Sequence, residues 1–168
     1  MKKFMVQIDE QCFNRRVNLT KMFLGTSTAK LLSRLLMHDE IDITHLKMPY
    51  NNLGDEGMSA LSHAISANKS IVYVDLRQNS ITPRCARALY IMLAKNVSIV
   101  TLKLGSLAGS QRNRIGTDGC SGLANAFRRN QCLIQYLDLK ASSITSAGVM
   151  GLVEALKHYL YLRTLDLS

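Results

Sequence analysis

Several features that mark secreted, membrane and catalytic proteins are missing from this sequence. No apolar run in its 168 residues approaches the length needed to cross a membrane, and residues 1–10 become acidic too early for a secretory signal peptide. A hydrophobic content of 47% is enough for the core of one domain. We therefore expect a single soluble domain in the cytoplasm, with no membrane as partner.

Motifs for catalysis, metal binding and cofactor binding are also missing. The four cysteines form no Cys-x-x-Cys pair, and we interpret them as reduced residues, with Cys85 and Cys120 as small core residues. No histidine accompanies a nucleophile motif, and no Gly-rich run ends in the Lys-Ser/Thr of a phosphate-binding loop. We predict a protein that is not an enzyme and needs no cofactor or metal.

The charge is of one predominant sign, with a formal net value of +9. A field of one sign steers association with partners of the opposite sign, so an acidic protein partner is favoured. The basic residues are spread along the chain without interleaved aromatic residues, whereas nucleic-acid binding favours a basic stripe with stacking side chains. Nucleic-acid binding is therefore retained only as a minor alternative.

What the sequence does contain is an internal repeat. Equivalent apolar positions at Leu46, Val74 and Leu102 are 28 residues apart, Leu137 follows after 35 and Leu165 after another 28. Each unit begins with an apolar-x-apolar pair typical of a short strand and continues with apolar residues at steps of four, which indicate a helix. One such unit cannot bury its own apolar face, so the units are expected to stack and share a core.

The consensus Leu-x-Leu-x-x-Asn-x-Ile/Leu-x-x-x-Gly-x-x-x-Leu-x-x-x-Leu-x-x-Asn resembles the ribonuclease-inhibitor type of leucine-rich repeat. The resemblance implies an α/β solenoid with a curved parallel β-sheet on the concave face and α-helices on the convex face. The family includes enzyme inhibitors, Ran GTPase-activating proteins, tropomodulin-like actin cappers, NOD-like receptor sensors and ciliary or cytoskeletal scaffolds. The resemblance therefore implies a protein-binding scaffold, and it adds the cytoskeleton and the cilium to the expected locations.

The repeats divide the chain into an N-terminal cap segment and a solenoid. Residues 1–16 are predicted to form the cap, with a short strand over Phe4, Val6 and Ile8. Residues 17–40 are predicted to form a degenerate first repeat with a helix from Thr28 to about Met37, whose N-terminus the hydroxyl of Ser27 or Thr28 is expected to cap. Residues 41–160 are predicted to form regular repeats, and residues 161–168 an incomplete last repeat. We expect its C-terminal edge to be covered by more chain, a partner or a second copy.

Two details of the repeat have structural consequences. The Asn that follows each strand, such as Asn79, is predicted to bond turn backbone groups of the next repeat. Ser142 and Tyr159 replace two consensus Asn residues, and we expect such substitutions to weaken a repeat locally.

Six of the seven extra residues in the long period lie between Leu104 and Asn113, where they are expected to form a loop at the rim of the sheet. Such a rim loop, taken as residues 105–114, either contacts a partner or is an ordinary loop variant.

The candidate binding surface follows from the strand pattern, because residues alternating with the buried pairs share the open face of the sheet. Tyrosines are the expected anchors of an interface, and opposite charges on neighbouring strands are expected to pair sideways. The leading prediction is a scaffold that binds a protein through this face and the rim loop, and the alternative is a small-GTPase regulator resembling the Ran GTPase-activating proteins. The predicted partner-binding residues are His45, Lys47, Tyr73, Asp75, Arg77, Lys103, Arg112, Arg114, Tyr136, Asp138 and Lys140.

Overall fold

The computed structural model describes residues 15–38, 41–107 and 109–168. The predicted N-terminal strand and Cys12 lie outside these residues. Strand and helix alternate along the described chain, as the repeat predicts. The strands are β1 (Arg16–Asn18), β2 (His45–Lys47), β3 (Tyr73–Asp75), β4 (Thr101–Lys103), β5 (Tyr136–Asp138) and β6 (Thr164–Asp166). The helices are α1 (Gly25–Leu36), α2 (Gly54–Ala67), α3 (Ala86–Lys95), α4 (Gly116–Arg128) and α5 (Ser146–Leu156), and a 3₁₀ turn (Pro83–Cys85) precedes α3.

The six strands form one parallel sheet in chain order. Each strand pairs with the next at the spacing that the repeat predicts, so that Leu46, Val74 and Leu102 are direct neighbours. Each helix packs against the helix of the following repeat. The predicted leucine-rich-repeat architecture, an α/β solenoid of strand–helix units, is confirmed.

The core lies between the sheet and the helices. The central residue of each inner strand is fully buried, and the helices contribute apolar residues at steps of four. Burial of a leucine side chain contributes roughly 2 kcal/mol, so the shared row of core residues is the main stabilising feature of the stack. The fully buried residues of the inner strands are Leu46, Val74, Leu102 and Leu137.

A ladder of buried asparagines links the turns of successive repeats. Asn79 Nδ2 donates to the carbonyl oxygen of Met48 at 2.8 Å, and Asn79 Oδ1 accepts from the backbone N–H of Asn51 at 3.0 Å. Asn113 repeats these bonds toward the turn of Asn79, with Oδ1 accepting from the Asn79 N–H at 2.8 Å. The side chains therefore serve the preceding repeat, and the prediction that they serve the next one is wrong.

At both departures from the consensus, Ser142 and Tyr159, other hydrogen bonds replace those of the missing asparagine. The backbone N–H of Asn113 donates to Ser106 Oγ at 2.8 Å, so a residue of the inserted loop occupies the place that an Asn at position 142 would take. The Tyr159 hydroxyl shares its single proton between the carbonyl oxygens of Cys132 and Ile134, at 2.9 and 3.1 Å, and Asn96 likewise serves carbonyls of its own preceding repeat. Both substitutions keep the backbone of the neighbouring turn satisfied.

The first helix begins earlier than predicted. It starts at Gly25 rather than Thr28, and no side chain caps its N-terminus. Gly25 has a φ of +61°, a conformation that glycine adopts without a steric penalty, and its N–H donates to the Asn51 carbonyl at 2.9 Å. A backbone bond to the next repeat therefore replaces the expected hydroxyl cap.

Candidate functional site

The open face of the sheet carries rows of side chains, two of which lie on the strands themselves. Row one contains Arg16, His45, Tyr73, Thr101, Tyr136 and Thr164, and row two contains Asn18, Lys47, Asp75, Lys103, Asp138 and Asp166. Strand β1 adds Arg16, the last residue of the predicted cap segment. The sequence offered a signal for it, because Arg16 precedes the buried Val17 just as His45 precedes Leu46.

An aromatic and basic cluster occupies the centre of this face. The rings of His45 and Tyr73 are stacked, with centroids 5.3 Å apart and planes 19° from parallel. Lys47 Nζ lies 5.5 Å from the centroid of Tyr73, and Lys103 Nζ lies 5.5 Å from Tyr73 and 5.4 Å from Tyr136. Such cation–π contacts contribute about 0.5–1 kcal/mol each at exposed sites and hold the two ammonium groups over the face. We call these five residues the central cluster.

The carboxylates of row two are used inside the protein. Asp75 is 2% exposed and accepts from Arg77 Nε at 2.9 Å and Nη2 at 2.7 Å. Asp138 is 6% exposed, and its Oδ1 accepts from the backbone N–H of Lys140 at 2.9 Å. Asp166 bonds the backbone N–H of Ser168 in the same way at 3.0 Å. These aspartates close the turns that follow the strands.

The expected sideways pairing of Lys47 and Lys103 with Asp75 is wrong. The ion pairs within 4.0 Å in the described part of the chain include Asp75 with Arg77 but no lysine of row two. The lysines lie over tyrosine rings instead, and the buried carboxylate is bonded within its own turn. The accessible charge of the central face is consequently positive.

A small cavity lies at the rim, where the strands end beside the inserted loop. Its volume is about 80 Å³, and Arg77 and Lys140 line it together with an exposed apolar residue of the loop, Leu107. The hydrogen bonds of Asp75 raise the pKa of Arg77 above its ordinary value, against the opposing effect of burial, so this guanidinium stays charged. The predicted residue Asp138 also lines the cavity, whereas the sequence did not single out the other lining residues, Tyr50, Gln78 and Ser106.

The predicted arginines of the rim loop differ in their roles. Arg112 is half-buried, and its Nη2 donates to the Ala141 carbonyl at 2.9 Å, which ties the loop to the turn after β5. The side chain of Arg114 is exposed, while its backbone N–H donates to the Ile81 carbonyl at 2.7 Å. Arg114 is therefore accessible to a partner, and Arg112 is a brace of the loop.

The described residues contain no group of three or more His, Cys, Asp or Glu side chains that could hold a metal ion. Cys85, Cys120 and Cys132 are buried free thiols. Burial raises the pKa of Cys85 to about 12 and that of Cys120 to about 11, so these thiols stay protonated and unreactive at neutral pH. No helix in the described residues is long and apolar enough to cross a membrane.

Comparison with known proteins agrees with this architecture. Residues 42–62, which contain β2 and the first half of α2, match the family model "Leucine Rich repeat". This chain is a leucine-rich repeat protein. Its repeats are of the ribonuclease-inhibitor-like type, with one strand, one asparagine turn and one helix in each unit.

The leucine-rich repeat protein has relatives among larger proteins. It is 31% identical over 162 residues to human "NACHT, LRR and PYD domains-containing protein 14", an alignment that covers 94% of this chain and 14% of the relative. It is 29% identical over 104 residues to "RAN GTPase-activating protein 2" of Arabidopsis thaliana, covering 61% of this chain and 18% of the relative. The chain thus spans less than one fifth of the length of either protein.

Two solved structures have a similar fold. "Leiomodin-1 Actin-Binding Site 2 (ABS2)" superimposes with a TM-score of 0.65 at 14% identity, covering 89% of this chain and 86% of that one. The tropomodulin C-terminal domain of Caenorhabditis elegans gives a TM-score of 0.62 at 16% identity, covering 89% and 92%. At this level of identity the likeness establishes the fold. Together, these relatives support a protein-interaction module.

Proposed function

We propose that this leucine-rich repeat protein is a non-enzymatic scaffold that binds an acidic segment of a partner protein along the open face of its sheet. The observation that carries the proposal is the separation of charges on this face. Lys47 and Lys103 are held over Tyr73 at the surface, whereas the carboxylates of Asp75 and Asp138 are buried in turns. An acidic segment would meet ammonium groups and aromatic rings at the surface, and Arg77 offsets the charge of the buried Asp75 carboxylate.

The proposed contact surface is narrower than the predicted one. It comprises the central cluster together with Arg77 and Lys140 at the rim cavity and Arg114 on the loop. Asp75, Asp138 and Arg112 support the surface from inside, because the two carboxylates and Nη2 of Arg112 already bond within turns, although Nε of Arg112 is buried without a partner. Tyr73 is the expected energetic centre, since it contacts three members of the cluster.

The proposal is tested with a labelled oligoglutamate peptide, whose binding is followed by fluorescence anisotropy at low salt. Tyr73→Ala is expected to weaken binding at least about tenfold, and Lys103→Ala by about threefold or more. Lys95→Ala is the matched control, because Lys95 is an exposed lysine at the end of α3. Equal affinity of wild type, Tyr73→Ala and Lys103→Ala would contradict the proposed surface. A higher affinity for single-stranded RNA than for oligoglutamate would favour the nucleic-acid alternative.

The names of the structural neighbours make a cytoskeletal partner the first to examine, since one of them is an actin-binding site. We propose actin filaments as a candidate partner and the cytoplasm as the place of action. Cosedimentation with filaments should deplete the wild-type protein from the supernatant and leave Tyr73→Ala behind. Equal recovery of both proteins in the supernatant would exclude filaments while leaving other acidic partners in place.

A second candidate function is regulation of a small GTPase, which the match to the Arabidopsis Ran GTPase-activating protein favours. A protein of this class accelerates hydrolysis by positioning groups of the GTPase. Stoichiometric addition to a panel of small GTPases would then raise the rate of GTP hydrolysis for at least one of them. Unchanged rates across the panel would exclude this candidate.

A further inference from the structure

His45 differs from the other histidines of the described chain in its surroundings. It is half-buried at the start of β2, whereas His38, His63 and His158 are exposed. Its ring stacks on Tyr73, and its Nδ1 lies 2.9 Å from Thr44 Oγ1. These two contacts fix both the plane of the ring and the environment of one ring nitrogen.

Thr44 lies beside one nitrogen of the His45 ring. Thr44 Oγ1 is 2.9 Å from His45 Nδ1 and 2.9 Å from the carbonyl oxygen of Arg15, which also accepts the backbone N–H groups of Thr44 and His45 at 2.7 and 3.2 Å. The hydroxyl can therefore act as donor or as acceptor toward Nδ1. The other ring nitrogen, Nε2, has no hydrogen-bond partner among the described residues.

The charged groups around this ring are cationic. Arg16 is the register partner of His45 on β1, Lys47 lies two residues along β2, and Tyr73 covers the ring from β3. The nearby Asp42 is paired with Arg15 at 2.8 Å. Burial, followed by the charges of Arg16 and Lys47, lowers the pKa of His45 below its ordinary value.

We propose that His45, Arg16 and Lys47 form a proton-linked subsite for a carboxylate of the partner. This inference rests on the proposed function, because it assigns one acidic residue of the partner to the β1–β2 part of the face. Protonation of the ring makes both of its nitrogens hydrogen-bond donors and adds a third positive charge next to Arg16 and Lys47. A bound carboxylate should therefore offset the free energy that is needed to charge this histidine. Binding of an acidic partner should strengthen as the pH falls.

The direction of the pH dependence follows from the linkage between proton binding and partner binding. A bound carboxylate favours the charged imidazole, so the pKa of His45 is higher in the complex than in the free protein. Between these two pKa values the complex binds a proton that the free protein does not. Affinity for an acidic probe consequently rises as the pH falls through this interval.

The test combines a small probe with a peptide. NMR titration of the histidine ring signals is performed in sodium glutarate and in sodium chloride at equal ionic strength, and oligoglutamate binding is measured at about pH 5 and about pH 8. We expect glutarate to raise the pKa of His45 but not that of His63, and the peptide to bind at least about threefold more tightly at the lower pH.

His45→Gln keeps a polar side chain that does not titrate, and His63→Gln on α2 is the matched control. The first variant should lose the pH dependence of peptide binding, and the second should keep it. An unchanged His45 pKa in glutarate, or the same pH dependence in wild type and His45→Gln, overturns the subsite and leaves the proposed function intact. A raised pKa without peptide binding at either pH supports the subsite and contradicts the proposed acidic-segment function.

Discussion

Replacement of Asn79 by alanine tests how strongly the asparagine ladder couples the repeats. The side chain is fully buried, and it makes three bonds, donating to the carbonyls of Met48 and Arg77 and accepting from the N–H of Asn51. In the variant, the Met48 carbonyl keeps its bond from Asn51 Nδ2, and the Arg77 carbonyl keeps its bond from the Tyr50 N–H. The Asn51 N–H loses its partner altogether.

The cost can be estimated from these three groups. A buried N–H without a partner costs about 1–3 kcal/mol, and each lost bond to a carbonyl that keeps another partner costs about 0.5–1 kcal/mol. We therefore expect Asn79→Ala to lower the free energy of unfolding by about 3 kcal/mol. The amide proton of Asn51 should also exchange with solvent faster than in the wild type.

Urea unfolding followed by circular dichroism measures the first quantity, and hydrogen exchange measures the second. Ser80→Ala is the matched control, because it removes one exposed hydrogen bond, to Asn52, from the next residue of the same turn. The control should change the free energy of unfolding by less than about 0.5 kcal/mol. A loss below about 1 kcal/mol in Asn79→Ala, with unchanged exchange at Asn51, would refute the assigned role of the ladder.

Three further predictions concern single residues. Tyr159→Phe removes a buried hydroxyl whose single proton is shared between two backbone carbonyls, and should lower the free energy of unfolding by about 1–2 kcal/mol in a urea titration. Gly105→Ala places a Cβ atom on the carboxylate of Asp138, and should cost about 1–3 kcal/mol in the same assay; combination with Asp138→Ala should cost less than the sum of the two single changes. Cys85 is expected to resist alkylation by iodoacetamide at neutral pH in the folded protein, because burial raises its pKa to about 12, and to react on unfolding; rapid labelling of the native protein would contradict its burial.

The sequence was sufficient to predict the stacking and register of the repeats. The 28-residue spacing of Leu46, Val74 and Leu102 places equivalent residues side by side, and a slip of one residue would expose the whole buried row. For this reason the spacing alone predicts which residues share a row of the sheet face. It does not predict the contacts made within those rows.

The pairing of charged side chains depends on how far each side chain reaches, which the spacing of residues in the sequence does not predict. Lysine side chains reach diagonally to Tyr73, whereas the short side chain of Asp75 stays within reach of the N–H groups of its own turn. One sequence signal for this difference was available. Lys47 is followed two residues later by Pro49, which has no N–H to bond, whereas the aspartates of row two are followed by residues that have one.

The sequence also could not predict whether each asparagine side chain bonds to the preceding or to the following repeat. A buried amide between two equivalent turns can serve either of them, and only the stagger of the stacked repeats decides that Asn79 reaches back to Met48. The start of α1 depended on a backbone conformation, because the positive φ of Gly25 allows the helix to begin before the hydroxyl residues that resembled a cap.

The position of Ser106 in the ladder has a consequence for how such a chain can grow by duplication. A tandem copy of the 28-residue unit that contains β3 would present an asparagine to the repeat before it and an N–H to the repeat after it, so the added unit fits without other changes. The unit with the inserted loop supplies its own acceptor for the Asn113 N–H and needs no asparagine from its successor. A unit with a serine at the turn, such as the unit that contains Ser142, can therefore stand only directly after a unit that has such a loop. This requirement restricts the order in which repeats can be recombined.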